Sequence, residues 1–274
     1  MIALWLGSAL AFDQPVLWVK EGVGVSGWSS GLISDTKVQV RAPLYRSDSI
    51  VFRDTYAGAG GRFAITPAFV DVGPRLSVAP IDIFDVDVQA SWHGYFGTSS
   101  SLMPFAAPEH KLEKERNARK DDAFAGSALS VSVAPTLKLA VGPIVAFDAW
   151  MWERWHVPKP DGAGTPFVYE PYRDMVIAWD DTIIQQQVAV MGMLQKGDDG
   201  PLLWVGATAR DQYSLKGGDR STAVGGVGMW RPGKSARTPT LLLQVLPYVT
   251  DADRVGSVPN IQGQIAFTHE SPLK

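Results

Sequence analysis

Residues 84–96 read Phe-Asp-Val-Asp-Val-Gln-Ala-Ser-Trp-His-Gly-Tyr-Phe. Read in alternation, one face carries Phe84, Val86, Val88, Ala90, Trp92 and Phe96. The other carries Asp85, Asp87, Gln89, Ser91, His93 and Tyr95. Successive side chains of a β-strand point to opposite faces, so this period makes a strand with one greasy and one polar side. The pattern recurs. Val38, Val40 and Leu44 alternate with Lys37, Gln39 and Arg41. The run Leu129, Val131, Val133, Leu137, Leu139, Val141 alternates with Ser130, Ser132, Thr136 and Lys138, and Ile261, Ile265 and Phe267 alternate with Gln262, Gln264 and Thr268. Weaker versions cover 17–28, 56–66, 69–79, 144–157, 175–180, 183–194, 202–215, 222–231 and 240–250. The expectation is an all-β chain of about a dozen strands, many of them longer than the five or six residues usual in soluble sheets. A strand crossing a bilayer at a tilt needs about nine to eleven residues.

Composition agrees with many turns and few helices. The chain has 274 residues, with 27 glycines, 19 prolines and 10 tryptophans. It has no cysteine, which excludes a disulfide scaffold and a cysteine–zinc site. The formal charge of −3 gives no broad basic surface, so nucleic acid is not an expected partner. Residues 1–11 are apolar and end in Ala9-Leu10-Ala11, read as a short, atypical signal segment with an ordinary buried N-terminal element as the alternative. Residues 12–274 are read as one barrel domain. Two stretches break the alternation. The first, 98–122, holds the mixed-charge run from His110 to Asp122. The second, 157–174, holds Pro158, Pro160 and Pro166. Both are expected to be long loops.

Alternation alone leaves open whether the greasy face points inward, as in a soluble barrel, or outward to lipid. Two features favour lipid. Trp92 and Phe96 close one strand, and Trp150, Trp152 and Trp155 close another, as expected of rings at a lipid–water boundary. Tight turns such as Gly142-Pro143 also contrast with the two long loops. On these grounds, over residues 16–269, the chain resembles the outer-membrane β-barrel proteins of Gram-negative bacteria as a broad class. The class often ends on an aromatic residue. Here Phe267 is the last one, and seven residues follow it. The resemblance implies a closed antiparallel transmembrane barrel in the bacterial outer membrane, with the lipid bilayer as its partner.

On that reading Lys37, Gln39, Arg41, Asp85, Asp87, Gln89 and Lys138 are the expected lining of a mixed-charge lumen. Asp71, Arg75, Asp148, Glu153 and Arg154 are further candidates, although Glu153 and Arg154 cannot share a face. The expected role is passive: a narrow porin-like channel for small hydrophilic solutes, or a structural barrel. One alternative is a soluble or periplasmic barrel holding a small apolar ligand. Another is a membrane-embedded lipid hydrolase using Ser91 and His93, which lie two apart on one strand. No catalytic elbow, helical metal motif or phosphate loop occurs, so no enzyme activity, metal or cofactor is expected. The paired acids Asp180-Asp181 read as solvated turn carboxylates.

Overall fold

In the computed structural model the strands are β1 (Val16–Ser26), β2 (Leu32–Pro43), β3 (Tyr56–Ile65), β4 (Phe69–Ile81), β5 (Phe84–Phe96), β6 (Met103–Phe105), β7 (Ala125–Val141), β8 (Ile144–His156), β9 (Phe167–Glu170), β10 (Met175–Ala178), β11 (Asp180–Lys196), β12 (Leu202–Ser214), β13 (Arg220–Arg231), β14 (Thr240–Leu246), β15 (Tyr248–Thr250) and β16 (Asn260–Pro272). The structure describes residues 14–26, 31–45, 52, 55–97, 101–107, 120–196, 201–233, 238–251 and 259–273. The apolar 1–11 segment and most of the charged run from His110 lie outside these residues.

Twelve strands close into an antiparallel barrel, in the order β1–β5, β7, β8, β11–β14 and β16. The seam is the pairing of β1 with β16, from Val16↔Pro272 to Ser26↔Gln262. Every barrel strand therefore has a neighbour on each side, and among the described residues the sheet has no open edge strand. Hydrocarbon demands this, because it offers no water to satisfy unpaired backbone groups. The short strand β15 pairs with β13.

The alternation resolves which face is which. Along β7, Leu129, Val131, Val133, Leu137 and Leu139 are 40–55% exposed, while Ser130 between them is 4% exposed. Val38 and Val40, Val88 and Trp92, and Ile261, Ile265 and Phe267 are likewise exposed, while Gln39, Arg41, Asp85 and His93 are buried. The greasy face points outward and the polar face inward. A soluble barrel with a greasy interior has the reverse arrangement. An apolar belt running around a whole barrel is far larger than the patches of a few hundred Å² that water-soluble monomers expose, and it fits lipid.

Sequence detail explains local irregularities. Pro74 and Pro135 lie inside strands, but the β4–β5 pairing skips Gly73 and Pro74, and the β7–β8 pairing skips Ala134 and Pro135. Each proline, which lacks an N–H to donate, sits where a ladder is already broken. At Gly60 an added Cβ would lie 1.9 Å from the Val38 carbonyl oxygen, and at Gly225 1.9 Å from that of Val245. Only glycine allows these neighbouring strands to approach so closely.

The two ends of the barrel differ. The β4–β5 and β7–β8 connections at one end are two-residue turns, with Gly142 at φ 57°. At the other end lie the connections 97–124 and 157–179. They supply β6, β9 and β10, which form a separate three-stranded antiparallel sheet. Residues 175–180, read from sequence as a further strand of the barrel, thus belong partly to this sheet. β10 has only four residues, too short to cross a bilayer.

The inner wall is not polar all round. Phe147, Met191, Trp204, Val227 and Met229 from β8, β11, β12 and β13 form a buried apolar cluster near the short-turn end. The arc from β1 to β7 carries the charges.

Candidate functional site

The hairpin β9–β10 folds into the barrel mouth. Its apolar residues Val168, Met175 and Ile177 pack on the wall residues Phe69, Tyr95, Ala128, Trp155 and Ile183, and Leu102 from the 97–124 connection joins them. Burial of this cluster is what draws the connection inward instead of leaving it in solvent. The chain reverses at Pro171–Asp174, where Asp174 takes a positive φ of 55°. Aspartate tolerates that conformation better than most residues, and here its carboxylate accepts a bond from the Tyr169 hydroxyl at 2.6 Å. Glu170 caps the turn. Its carboxylate accepts the Tyr172 N–H at 2.8 Å, the Arg173 N–H at 2.6 Å and the Tyr95 hydroxyl at 2.6 Å. Burial pushes the Glu170 carboxyl up to about 7, and these three bonds pull in the opposite direction.

The base of the hairpin is pinned by two aspartates. Asp181 accepts the N–H groups of Ala178, Thr182, Lys216 and Gly217 at 2.7–2.9 Å and the Ser214 hydroxyl at 2.5 Å. Asp219 accepts the Val176 N–H at 2.9 Å. Asp181, read from sequence as a solvated turn carboxylate, is therefore a fully buried structural acceptor.

The tip crosses the lumen. Arg62 of β3 donates to the Tyr172 hydroxyl at 3.1 Å while paired with Asp35 and Asp71, both at 2.8 Å. On the opposite wall, Gln212 of β12 donates to the Arg173 carbonyl at 3.1 Å. The Arg173 guanidinium reaches Glu153 of β8 at 2.7 Å and lies over the Tyr172 ring. Beside it, Ser130 donates to Glu153 at 3.1 Å, and His93 Nε2 stands 2.9 Å from the Ser130 oxygen. With the serine proton committed to Glu153, the geometry assigns Nε2 as the donor to Ser130. His93 also stacks on Trp155, with ring centroids 4.5 Å apart.

The tip leaves a gap against the β16–β1–β2 wall: a polar cavity of about 70 Å³. Gly22 and Gly24 face it from β1 with no side chain, and the amides of Gln185, Gln212, Gln262 and Gln264 line it. Below, on the charged arc, the inward residues form a lattice. Lys37 pairs with Asp35 at 3.8 Å, Arg75 with Asp87 at 2.6 Å, and Lys138 with Asp85. Gln39 accepts from Arg41 at 3.1 Å and from Ser77 at 3.2 Å. Arg41 lies over the Trp18 ring, 3.7 Å from its centroid.

These contacts place the residues singled out from sequence. Lys37, Gln39, Arg41, Asp85, Asp87, Gln89 and Lys138 all lie on the inward face, most of them joined by the lattice. Ser91 and His93 also face inward but do not meet: Ser91 accepts from Gln89 at 2.5 Å, and His93 turns to Ser130. Trp92, Phe96, Trp150 and Trp152 are 37–50% exposed on the outer face, with Trp150 and Trp152 stacked. Trp155 is corrected. It is fully buried inside, under the hairpin, because it stands three positions from Trp152 and so on the opposite face. Asp148 and Arg154 also face outward, bonded to Gln186 at 2.9 Å and to Asp180 at 2.5 Å. The tip residues Tyr172 and Arg173, and their wall partners Arg62 and Gln212, were not singled out from sequence. The signal was available as two short apolar runs flanking Pro171-Tyr172-Arg173-Asp174.

No protein-family model matches the chain, and no curated protein sequence does. Among solved structures it is similar to the β domain of the Bordetella autotransporter Brka, at 9% identity and a TM-score of 0.49, covering 93% of this chain and 99% of that one. It is also similar to the NanC porin (11% identity, TM-score 0.39, 93% and 100% covered). A third is the translocator domain of the autotransporter NalP from Neisseria meningitidis (10%, 0.38, 93% and 87%). The likeness is one of fold.

Proposed function

We propose that this chain is a bacterial outer-membrane β-barrel acting as a narrow passive channel for small hydrophilic solutes, constricted by the β9–β10 hairpin. The observation that carries the reading is the polar cavity between the hairpin tip and the β16–β1–β2 wall. Amide side chains and bare glycine backbone there offer a wet path past the tip, while the tip blocks the rest of the cross-section. Hydrogen-bonding groups of both kinds around this cavity let a hydrated solute exchange water for protein contacts as it passes. Ser91 and His93 do not meet, and Ser130, which donates to Glu153, is buried beneath the tip with that carboxylate tied to Arg173, so the reading is passive transport and not catalysis.

A structural barrel with a permanent plug is the second reading. The specific observation favouring it is the tip's attachment to opposite walls through Arg62 and Gln212. Purified protein refolded in mild detergent and inserted into planar bilayers separates the two. The channel reading expects small discrete current steps from wild-type protein. Silent wild-type protein, with steps from a variant whose Pro171–Asp174 turn is replaced by two glycines, would overturn it in favour of the plug.

A further inference from the structure

Among the charged groups around the cavity beside the hairpin tip, all but one are committed. Asp35 is held by Arg62 and Lys37, and Arg62 is shared between Asp35 and Asp71. Arg173 is paired with Glu153, and Asp174 accepts from Tyr169. Arg210 lines the same cavity from β12, and among the described residues it has no hydrogen bond or ion pair. Its partners across the strand ladders are Gln187 on one side and Ala223 on the other. Neither can neutralise it.

We infer that this cavity is a binding site for an oxyanion, with Arg210 as its recognition residue. The inference rests on the channel reading and names its solute class: small hydroxyl-rich molecules bearing a carboxylate or a phosphate. Arg62 and Arg173 are held by Asp35, Asp71 and Glu153, which leaves Arg210 as the cation lining the gap with no anionic partner among the described residues. A guanidinium presents a planar fork of donors that matches two oxygens of a carboxylate or phosphate. In a narrow passage walled by low-dielectric protein, an uncompensated cation concentrates anions far more strongly than it would in open water. The glutamine amides beside it donate to further oxygens and exchange both donor and acceptor bonds with hydroxyls. Gly22 and Gly24 line the cavity opposite the charge without side chains of their own, and the Gln264 amide lies over Gly22 as a further donor.

The test measures reversal potential under a tenfold potassium chloride gradient in planar bilayers, using full-length wild-type protein, Arg210→Gln, Arg210→Glu and the control Arg220→Gln. Arg220 is exposed and paired with Asp211. Wild type and the control should prefer chloride. The preference should fall several-fold in Arg210→Gln and invert in Arg210→Glu. Conducting variants with unchanged reversal potentials would overturn the inference and leave the channel reading standing. If wild-type protein passes no current, line broadening of the phosphorus resonance of inorganic phosphate by the detergent-folded barrel decides instead. Broadening that is lost in Arg210→Gln supports the site while the channel reading fails. Equal or absent broadening overturns the site as well.

Discussion

Replacing Arg173 with alanine should release the hairpin tip while leaving the barrel intact. In the wild type the Arg173 guanidinium meets Glu153 at 2.7 Å, and both side chains are less than a tenth exposed. Removing the arginine leaves a buried carboxylate whose remaining donor is Ser130. Breaking a buried ion pair by deleting one partner typically costs about 3–5 kcal/mol, most of it the uncompensated charge left behind. Here that cost falls on the docked state, because an undocked tip lets water reach Glu153. At about 1.4 kcal/mol per tenfold, the docking equilibrium should shift by roughly two to nearly four orders of magnitude. The barrel's backbone ladders are untouched, so the mobility difference between heated and unheated samples should match wild type. Single-channel recordings should show larger or longer-lived openings. Adding Glu153→Gln should recover much of the effect, since a neutral amide can stay buried at lower cost. Arg173→Ala traces indistinguishable from wild type would refute the claim that this ion pair holds the constriction. So would a double variant at least as open as the single one.

Three further outcomes are expected. Val131→Arg places a charge on the lipid-facing side of β7, where Val131 is 53% exposed. It should cost about 2–4 kcal/mol near the midplane in denaturant unfolding from vesicles, and an unchanged midpoint would contradict the outward assignment. Brominated lipids should quench less fluorescence in Trp152→Phe than in wild type, whereas Trp155→Phe should leave the quenched amplitude unchanged; the opposite pattern would invert the strand's faces. The third concerns pH. The docked Glu170 carboxyl titrates near 7 against an ordinary 4.5, so the docked tip binds the proton more tightly than the free tip. That stabilisation is complete below about 4.5 and is lost as pH rises through 7, with a ceiling of about 3 kcal/mol. Openings should therefore be rarer at pH 5 than at pH 8, and Glu170→Gln should remove the difference. A pH-independent wild type would sink the argument.

The barrel was legible because its determinant is local. A period of two, sustained over strands such as β5 and β7, fixes which residues share a face, and the outward valines and inward lysine and aspartates follow from it. Trp155 was misread although the same parity applies: grouping it with Trp150 and Trp152 as strand-end aromatics overrode the count of three that turns it inward. The hairpin was harder to read because its determinants are distant. Val168 and Met175 become core only when Phe69, Tyr95 and Ile183 close around them. The prolines and glycines of 158–166 look the same whether a loop folds in or stays out. Asp181 illustrates the same gap, since its acceptor role depends on backbone donors from residues 178–182 and 216–217, which the fold brings together. Arg210 carries no local signal at all. What distinguishes it is the lack of a partner in three dimensions.

The β1–β16 seam has a consequence for how the molecule is made. Its eleven-residue ladder joins the first strand of the barrel to the last, which is the largest sequence separation that any pairing in the barrel spans. Until β16 arrives, β1 and β14 are open margins, and every unpaired amide on them forbids stable residence in hydrocarbon. A ribosome or export channel delivering the chain from its N-terminus therefore hands over sticky, half-apolar strands long before they can be sealed. Such long-range closure is slow and exposes the chain to aggregation meanwhile. Assembly should depend on a holding factor in the aqueous compartment, and a chain shortened by β16 should be degraded, not inserted as an eleven-stranded barrel.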